Sequence, residues 1–529
     1  MNAAARPSRR KWARVLRIAL LVCVVLLLGA GLYLAWRLTR DEPVDYADDA
    51  AHFKYGSTGG ERLTGIPYWL LVALPEVFPE YLPDKKPGHG YASFGMVYEA
   101  GKDPRYDLPA GMSRRNVRGI DSVYLNCAVC HTGTVRPAPG ASPRVVLGMP
   151  ANTFDIGAWG QFLTNVARDA KFTPLRLLDQ IHVMENNSHR LIDKPDLINR
   201  LIFRYVAVYR MREQTLSLPQ RLSFLHLETW GPGRDDTFGP NKAFFNFNME
   251  HADQNELTGF ADFPSIWNQG PRQDAHMALH WDGNNDHVTE RNLNAAFGTG
   301  AYPPSIDADS LQRTAKWLET AKPVPFSALF PVDAALAARG APIYQEYCAG
   351  CHGTKDPPFV HKPRQPNEHV GEVVPIAAIG TDRHRVDSFT WELAVNLGTN
   401  YAGFEPDWGF NKPYPRRFTR YHKTWGYANA PLDGLWLRAP YLHNGSVPNL
   451  RELLEPAASR TKTFYRGDDV YDPQNVGFVA NVAERDGRRF FPFDTGHPGN
   501  GNGGHEGEAF GTYLPAEQKQ ALLEYLKTF

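Results

Sequence analysis

Two short blocks constrain this chain more than any other feature: Cys127-Ala-Val-Cys130-His131 and Cys348-Ala-Gly-Cys351-His352. Cys-x-x-Cys-His is the pattern of c-type haem attachment. Its two thiols add across the vinyl groups of the porphyrin, and the adjacent histidine presents an imidazole to the iron. A thioredoxin-like pair needs no trailing histidine, and blocks 221 residues apart do not make one zinc cage. Disulfides are the remaining alternative. The fifth cysteine, Cys23, lies in an apolar run and reads as a small apolar side chain. The blocks therefore predict two covalently attached haems, with His131 and His352 as iron ligands.

The N-terminus says where such a protein works. Ile18 to Trp36 carries no charge and is rich in Leu, Val and Ala; its 19 residues suit about one bilayer crossing. Six positive charges precede it (Arg6, Arg9, Arg10, Lys11, Arg14, Arg17), which keeps the N-terminus cytoplasmic and sends everything after Arg40 across. A cleaved signal peptide is the competing reading. Gly29-Ala30-Gly31 offers a loose cleavage site, but the apolar run continues through Tyr33, Leu34 and Trp36, which favours a retained anchor. The expectation is a single-pass protein of a bacterial inner membrane with its haems in the periplasm, an oxidising compartment. The 57 basic and 57 acidic residues balance only overall: residues 1–40 hold eight Lys or Arg and no acid, leaving 49 basic against 57 acidic beyond them. An acidic body offers no footprint for nucleic acid.

Around each block the chain repeats one plan. Val332 to Tyr347 reads as an amphipathic helix running into the second block. The C-terminal PAEQKQALLEYLKTF reads as a closing helix, with Pro515 in its first turn and Leu522, Leu526 and Phe529 at helical spacing. For the first block, the corresponding expectations are a helix over Arg115 to Asn126 and a closing helix over Asp309 to Ala321. Pro323, Pro325 and Pro331 punctuate a linker between them, and 46 Gly and 42 Pro predict long loops. The predicted fold is mostly α: a membrane anchor with its basic tail (1–40), an enlarged first haem domain (41–325) and a second haem domain (326–529), both cytochrome c-like.

The extra length of the first half carries motifs of its own. Trp281-Asp-Gly283 between the two blocks, and Ala439-Pro-Tyr-Leu-His-Asn-Gly-Ser446 after the second, resemble the bacterial di-haem cytochrome c peroxidase and MauG-type superfamily. A longer ordered set resembles its rubber oxygenase (Rox-type) branch: Phe53-Lys-Tyr-Gly56, Gly65-Ile-Pro-Tyr-Trp69, GPGR at 231–234, FPSIW at 263–267, HWDGNN at 280–285 and the ending GNGNGGHEGEAFG. The resemblance spans nearly the whole soluble chain.

Ligand arithmetic separates the two haems. No methionine lies beyond Met277, so the second domain cannot supply His/Met ligation from within. Its histidines are 361, 369, 384, 422, 443, 497 and 505. His505 is favoured as sixth ligand because its flanking glycines permit close approach to a flat ring; the Rox resemblance points to the same position. His443 is the next candidate, and a solvated loop histidine is the plain alternative. A haem held between His352 and His505 is saturated and suits electron transfer.

The first haem is then the candidate for chemistry. In the peroxidases a glutamate after Trp-Asp-Gly moves a proton between peroxide oxygens. Here the matching position falls near Ala301, with no carboxylate until Asp307; Glu290 comes early, and Glu290 or His287 would have to stand in. In the Rox branch the distal pocket is apolar and aromatic. The resemblance implies that Trp281 lies over the first haem and that Trp267 lies between the haems as an electron relay; each is also a candidate for plain core packing. Arg234 suits a haem propionate or a structural salt bridge. Met149, 18 residues past His131, is an alternative sixth ligand that would make both haems carriers.

Three functions follow: a Rox-like oxygenase, favoured; a di-haem cytochrome c peroxidase; or a non-enzymatic electron-transfer protein. The implied partners are O2 or H2O2, a redox protein or quinone-linked chain, and the inner membrane. A retained anchor favours a membrane-soluble alkene over a solid polymer. Calcium occurs between the domains of the superfamily's peroxidases, but no calcium-loop motif is present here, so none is assigned.

Overall fold

The computed structural model describes residues 9–187, 194–403 and 416–529; Arg6, one of the six charges before the apolar run, lies outside them. The chain opens with one helix, Arg9–Thr39. Its stretch Trp12–Thr39 is long and apolar enough to cross a membrane, as an anchor or a signal sequence would be. No flexible linker follows. Strand Asp41–Pro43 pairs at once with Met112–Val117, the second strand of a four-stranded sheet completed by Ile120–Leu125 and Ile66–Pro67.

That sheet corrects one expectation. Arg115 to Asn126, predicted as a helix, is a β-hairpin. Val117, Ile120, Val123, Tyr124 and Leu125 are strand formers, and Arg118 and Gly119 both take positive φ (55° and 76°). Two such residues make the tight primed turn whose twist matches paired strands. The first block is thus entered from a strand. Asn126 caps the single 3-10 turn Cys127–Val129 by accepting from the Ala128 amide.

Helices dominate the remainder; outside that sheet, the strands of the described residues occur only in pairs. Tyr68–Val77 is apolar on every side and buried throughout except at Glu76, as a central core helix must be. It packs against Pro174–Asn187. The three other expected helices are present. Ala308–Thr320 is capped by Asp307, and it packs Leu318 and Trp317 against Phe53, Cys127 and Ala128. Ala334–Tyr347 is capped by Asp333. Ala516–Leu526 follows Pro515, which occupies the N-cap rather than the first turn. The last two helices cross at Gly340, where any Cβ would collide with the Ala521 carbonyl.

One core cluster joins the two halves of the chain. Val135, Val146, Met149 and Trp267 pack there with Phe326, Phe330, Trp436 and Tyr471. Met149 is fully buried in it.

Candidate functional site

Each block presents its histidine in the same way. The His131 Nδ1 lies 2.9 Å from the carbonyl of Pro264, and the His352 Nδ1 lies 2.8 Å from that of Ala430. A carbonyl only accepts, so Nδ1 carries the hydrogen in both rings and Nε2 keeps its lone pair. This is the outer-shell arrangement that orients a metal-binding imidazole. Burial pushes His131 down to about 4 and also lowers His352, so both stay neutral, as a ligand must. The four block cysteines are unpaired. Burial raises Cys127 to about 11 and Cys348 to about 12. All six side chains are partly accessible. Among the described residues, no three His, Cys, Asp or Glu side chains converge as a metal cage. Two thiols and a neutral imidazole in each block fit a c-type haem.

Across from His352 stands His505. Their ring centres are 6.4 Å apart. Metal–nitrogen bonds of about 2 Å, plus about 1 Å from each nitrogen to its ring centre, put two imidazoles on opposite sides of one ion roughly 6 Å apart. Nδ1 of His505 is buried without a hydrogen-bond partner, a costly state unless something binds the ring. Burial, then the neighbouring His352, pushes His505 down to about 3. The loop that carries it is fixed. His505 takes a positive φ of 47°, uncommon for a side-chain-bearing residue. Its amide bonds the Ile379 carbonyl at 2.8 Å. Arg460, 2% exposed, spends its guanidinium on the carbonyls of Leu453, Glu455, Asn502, Gly504 and His505. His443, the other candidate, is engaged elsewhere: it stacks on Tyr427 at 4.1 Å, and its Nε2 meets the Tyr427 hydroxyl at 3.0 Å.

The extended segment 262–267 organises the first block. Pro264 accepts from His131; the Asp262 carbonyl accepts from the Trp281 indole at 2.7 Å. Trp267, 1% exposed, donates to the Leu147 carbonyl at 2.8 Å. Its indole is clamped between two glycines. A Cβ on Gly148 would collide with Nε1, and one on Gly434 would come 2.6 Å from Cζ3. The Gly148 amide bonds the His131 carbonyl, while Gly434 lies four residues past Ala430, the partner of His352. Trp267 thus touches a glycine on the strand side of the first block and one near the carbonyl partner of His352. Trp281 is only partly buried and close in sequence to His280, a deep imidazole that takes positive φ and bonds Asn284 at 2.5 Å.

Arg234 is completely buried. One amino group donates to Asn500 at 2.7 Å, and Phe260 and Phe493 flank the cation at 4.5 and 5.0 Å. Its Nε and other amino group have no partner. Burial, then repulsion from Arg466, holds it down to about 9. A buried guanidinium with two idle donors has room for an anion such as a carboxylate; a haem propionate fits that description. Two carboxyls near the first block differ: burial, then Asp235, raises the Cys130 thiol, and burial pushes Asp235 itself up to about 7, whereas Glu290 is tied down. Glu290 accepts from Asn285 and from the amides of Thr419 and Arg420, and His287 caps the helix Val288–Gly298 that contains it. Both positions are occupied by structural bonds. Instead, apolar side chains gather beside Cys127: Leu293, Phe297, Phe418 and Tyr421.

Sequence reasoning missed Arg460, His280 and the two carbonyls. A histidine between glycines announces itself; a backbone carbonyl has no sequence signature, and Arg460 looks like any loop arginine.

Comparison with known proteins agrees with this geometry. Residues 426–465 match a family described as RoxA-like, cytochrome c-like. The match contains Ala430, Gly434, His443 and Arg460, the surroundings of His352 and its facing loop. This segment supports a cytochrome redox role, and a cytochrome c-like domain implies a covalently bound c-type haem. Two proteins of Sinorhizobium fredii (strain NBRC 101917 / NGR234) are also similar. Uncharacterized protein y4iJ is 33% identical over 239 residues, 37% of this chain and 39% of the relative. Uncharacterized protein y4iM is 32% identical over 264 residues, 46% of this chain and 56% of the relative. The chain thus spans about two-fifths to just over half of these curated relatives.

Proposed function

We propose that this chain is a membrane-anchored periplasmic cytochrome with two c-type haems, of which the first activates dioxygen for cleavage of an apolar olefin and the second transfers electrons. The observation that carries the reading is an asymmetry. His352 faces a second imidazole at 6.4 Å, whereas no ring among the described residues pairs with His131 in this way. When bound, the haem at His131 would supply an iron with a position for O2, and the haem at His352 a saturated one-electron centre.

The chain's own residues do the rest. Cys127, Cys130, Cys348 and Cys351 attach the two groups, and Pro264 and Ala430 fix the ligand tautomers. Arg234 offers its idle donors to a propionate. Trp267, held between Gly148 and Gly434, spans the space between the sites as an aromatic relay. The apolar side chains beside Cys127 favour an olefin and exclude water. Peroxide cleavage, by contrast, asks for a free carboxyl: Glu290 is already bonded three ways, and Asp235, beside Cys130 and raised to about 7 by burial, is the carboxyl that keeps the peroxidase alternative open. An anchor that stays in the membrane suits a membrane-soluble isoprenoid or lipid substrate.

The test is spectroscopic. Pyridine haemochrome analysis of the detergent-solubilised protein should give two haems per chain. Electron paramagnetic resonance should show one low-spin signal that survives imidazole but is lost in His505→Ala, and a second that shifts when imidazole is added. Two low-spin signals, both indifferent to imidazole, would remove the oxygenase reading. Product analysis with an isoprenoid olefin against turnover with peroxide then separates oxygenase from peroxidase.

A further inference from the structure

The anchor helix is solvent-exposed along nearly its whole length, with one exception at its end. Arg37 is 4% exposed. It reaches into the body, where it bonds Asp196 at 2.7 Å, the Gly119 carbonyl at 3.0 Å and the side chain of Asn199. Gly119 belongs to the hairpin turn, and a Cβ there would come 2.7 Å from the arginine. Two elements of the body are therefore fixed at the level where the apolar helix ends. Trp36 and Tyr33 mark that level with the aromatic side chains that favour a membrane–water boundary.

Asp196 is also the N-cap of the next helical stretch, Leu197–Ile202, which continues through a π-helical turn, Phe203–Ala207, into Val208–Arg221. Its inner face is ordinary: Phe203, Val208 and Met211 are buried in the core. Its outer face is not. Leu197, Leu201, Tyr205 and Tyr209 are all exposed, Leu197 at 72% and Tyr205 at 63%, with Val206 beside them at 53%. A four-residue step in an α-helix overshoots one turn by about 40°. The wider π turn absorbs that excess and brings Leu201, Tyr205 and Tyr209 into line. From Leu197 to Arg212 the sequence has four arginines and no acid, and Arg204 and Arg210 are exposed.

We infer that this stripe, Leu197 to Tyr209, lies along the phospholipid headgroup boundary of the bilayer that the anchor spans, its apolar side chains in the lipid and its arginines among the phosphates. A helix with exposed Leu and Tyr on one side, flanking arginines and no acid is built for that boundary, and Arg37 holds its first turn at the matching height. The inference rests on the anchor being retained and adds a second, shallow contact that fixes how the haem body is oriented on the membrane.

The experiment uses the full chain with Cys23→Ser, reconstituted in nanodiscs of phosphatidylethanolamine and phosphatidylglycerol. Nitroxide labels are placed singly through Leu201→Cys, Tyr205→Cys and Tyr209→Cys, with Leu27→Cys as the bilayer reference and exposed Tyr513→Cys as the water reference. The expected result at 201, 205 and 209 is relaxation by oxygen several-fold stronger than by a water-soluble nickel chelate, between the two references. A ratio equal to that of the 513 label, with the 27 label deep in lipid, overturns the inference and leaves the anchor standing. Low accessibility to both reagents means that protein covers the stripe, which also overturns it. A mature N-terminus at or beyond Leu32, past the candidate cleavage site, overturns both readings together.

Discussion

Arg460 shows how much of a site can hang on a residue with no motif. Its guanidinium donates to five backbone carbonyls, three of them in the loop 502–505 that ends on His505. Burial lowers its proton affinity from the ordinary value, with Glu506 and Glu452 opposing that. Buried hydrogen bonds to a charged donor contribute about 1.5–3 kcal/mol each and are not additive. Arg460→Ala is therefore expected to cost about 3 kcal/mol in urea unfolding. It should also broaden or convert the low-spin signal assigned to the His352–His505 pair, while Arg460→Lys, which keeps one donor, retains part of that signal. A variant destabilised by that amount with an unchanged signal would mean that Arg460 serves folding alone. The residue-level reading of the sequence worked from what side chains declare: both Cys-x-x-Cys-His blocks, and His505, which the structure places across from His352. It could not reach Pro264 and Ala430, because what they contribute is a carbonyl that any residue carries.

At the scale of elements, the two glycines about Trp267 carry a sharper prediction than the tryptophan itself. Gly148 and Gly434 both hold positive φ (77° and 64°), and a methyl on either meets the indole. A left-handed backbone costs an L-residue about 1–2 kcal/mol, and overpacking a filled core adds about 1–3 kcal/mol. Gly434→Ala should lower the melting temperature and slow electron exchange between the two sites, because the ring must move off its place. Unchanged melting and unchanged exchange would show that the clamp is loose. Helices around the second block were legible because their apolar spacing is regular and Asp333 and Pro515 mark their starts. The hairpin at 112–125 was not. Its apolar residues fit either period over so short a span, and the decision rests on Arg118-Gly119 accepting positive φ. The buried helix Tyr68–Val77 likewise has no polar face to reveal its phase.

The whole molecule is more tightly joined than its linear plan suggests. A proline-punctuated linker near residue 325 separates the blocks in sequence, yet the core around Trp436 draws Trp267, Met149, Val146 and Val135 from one side of it and Phe326, Phe330 and Tyr471 from the other. Ion pairs cross the same line. Arg136 bonds Asp469 at 2.5 Å, and buried Arg466 bonds buried Asp262 at 3.0 Å. Removing one partner of a buried pair costs about 3–5 kcal/mol, against a total stability of about 5–15 kcal/mol for a domain. Residues 326–529 expressed alone would leave Arg466 buried without Asp262 and open the Trp436 core where Trp267 had filled it. That fragment is expected to show no cooperative thermal transition, even when matured with its haem, whereas the full chain melts both haem sites together. A cooperative melt of the fragment at the temperature of the full chain would mean that each haem region folds on its own. On the proposed two-haem reading the coupling has a functional side: Trp267 belongs to this shared core, so an electron exchanged through it would meet one fixed distance rather than a hinge.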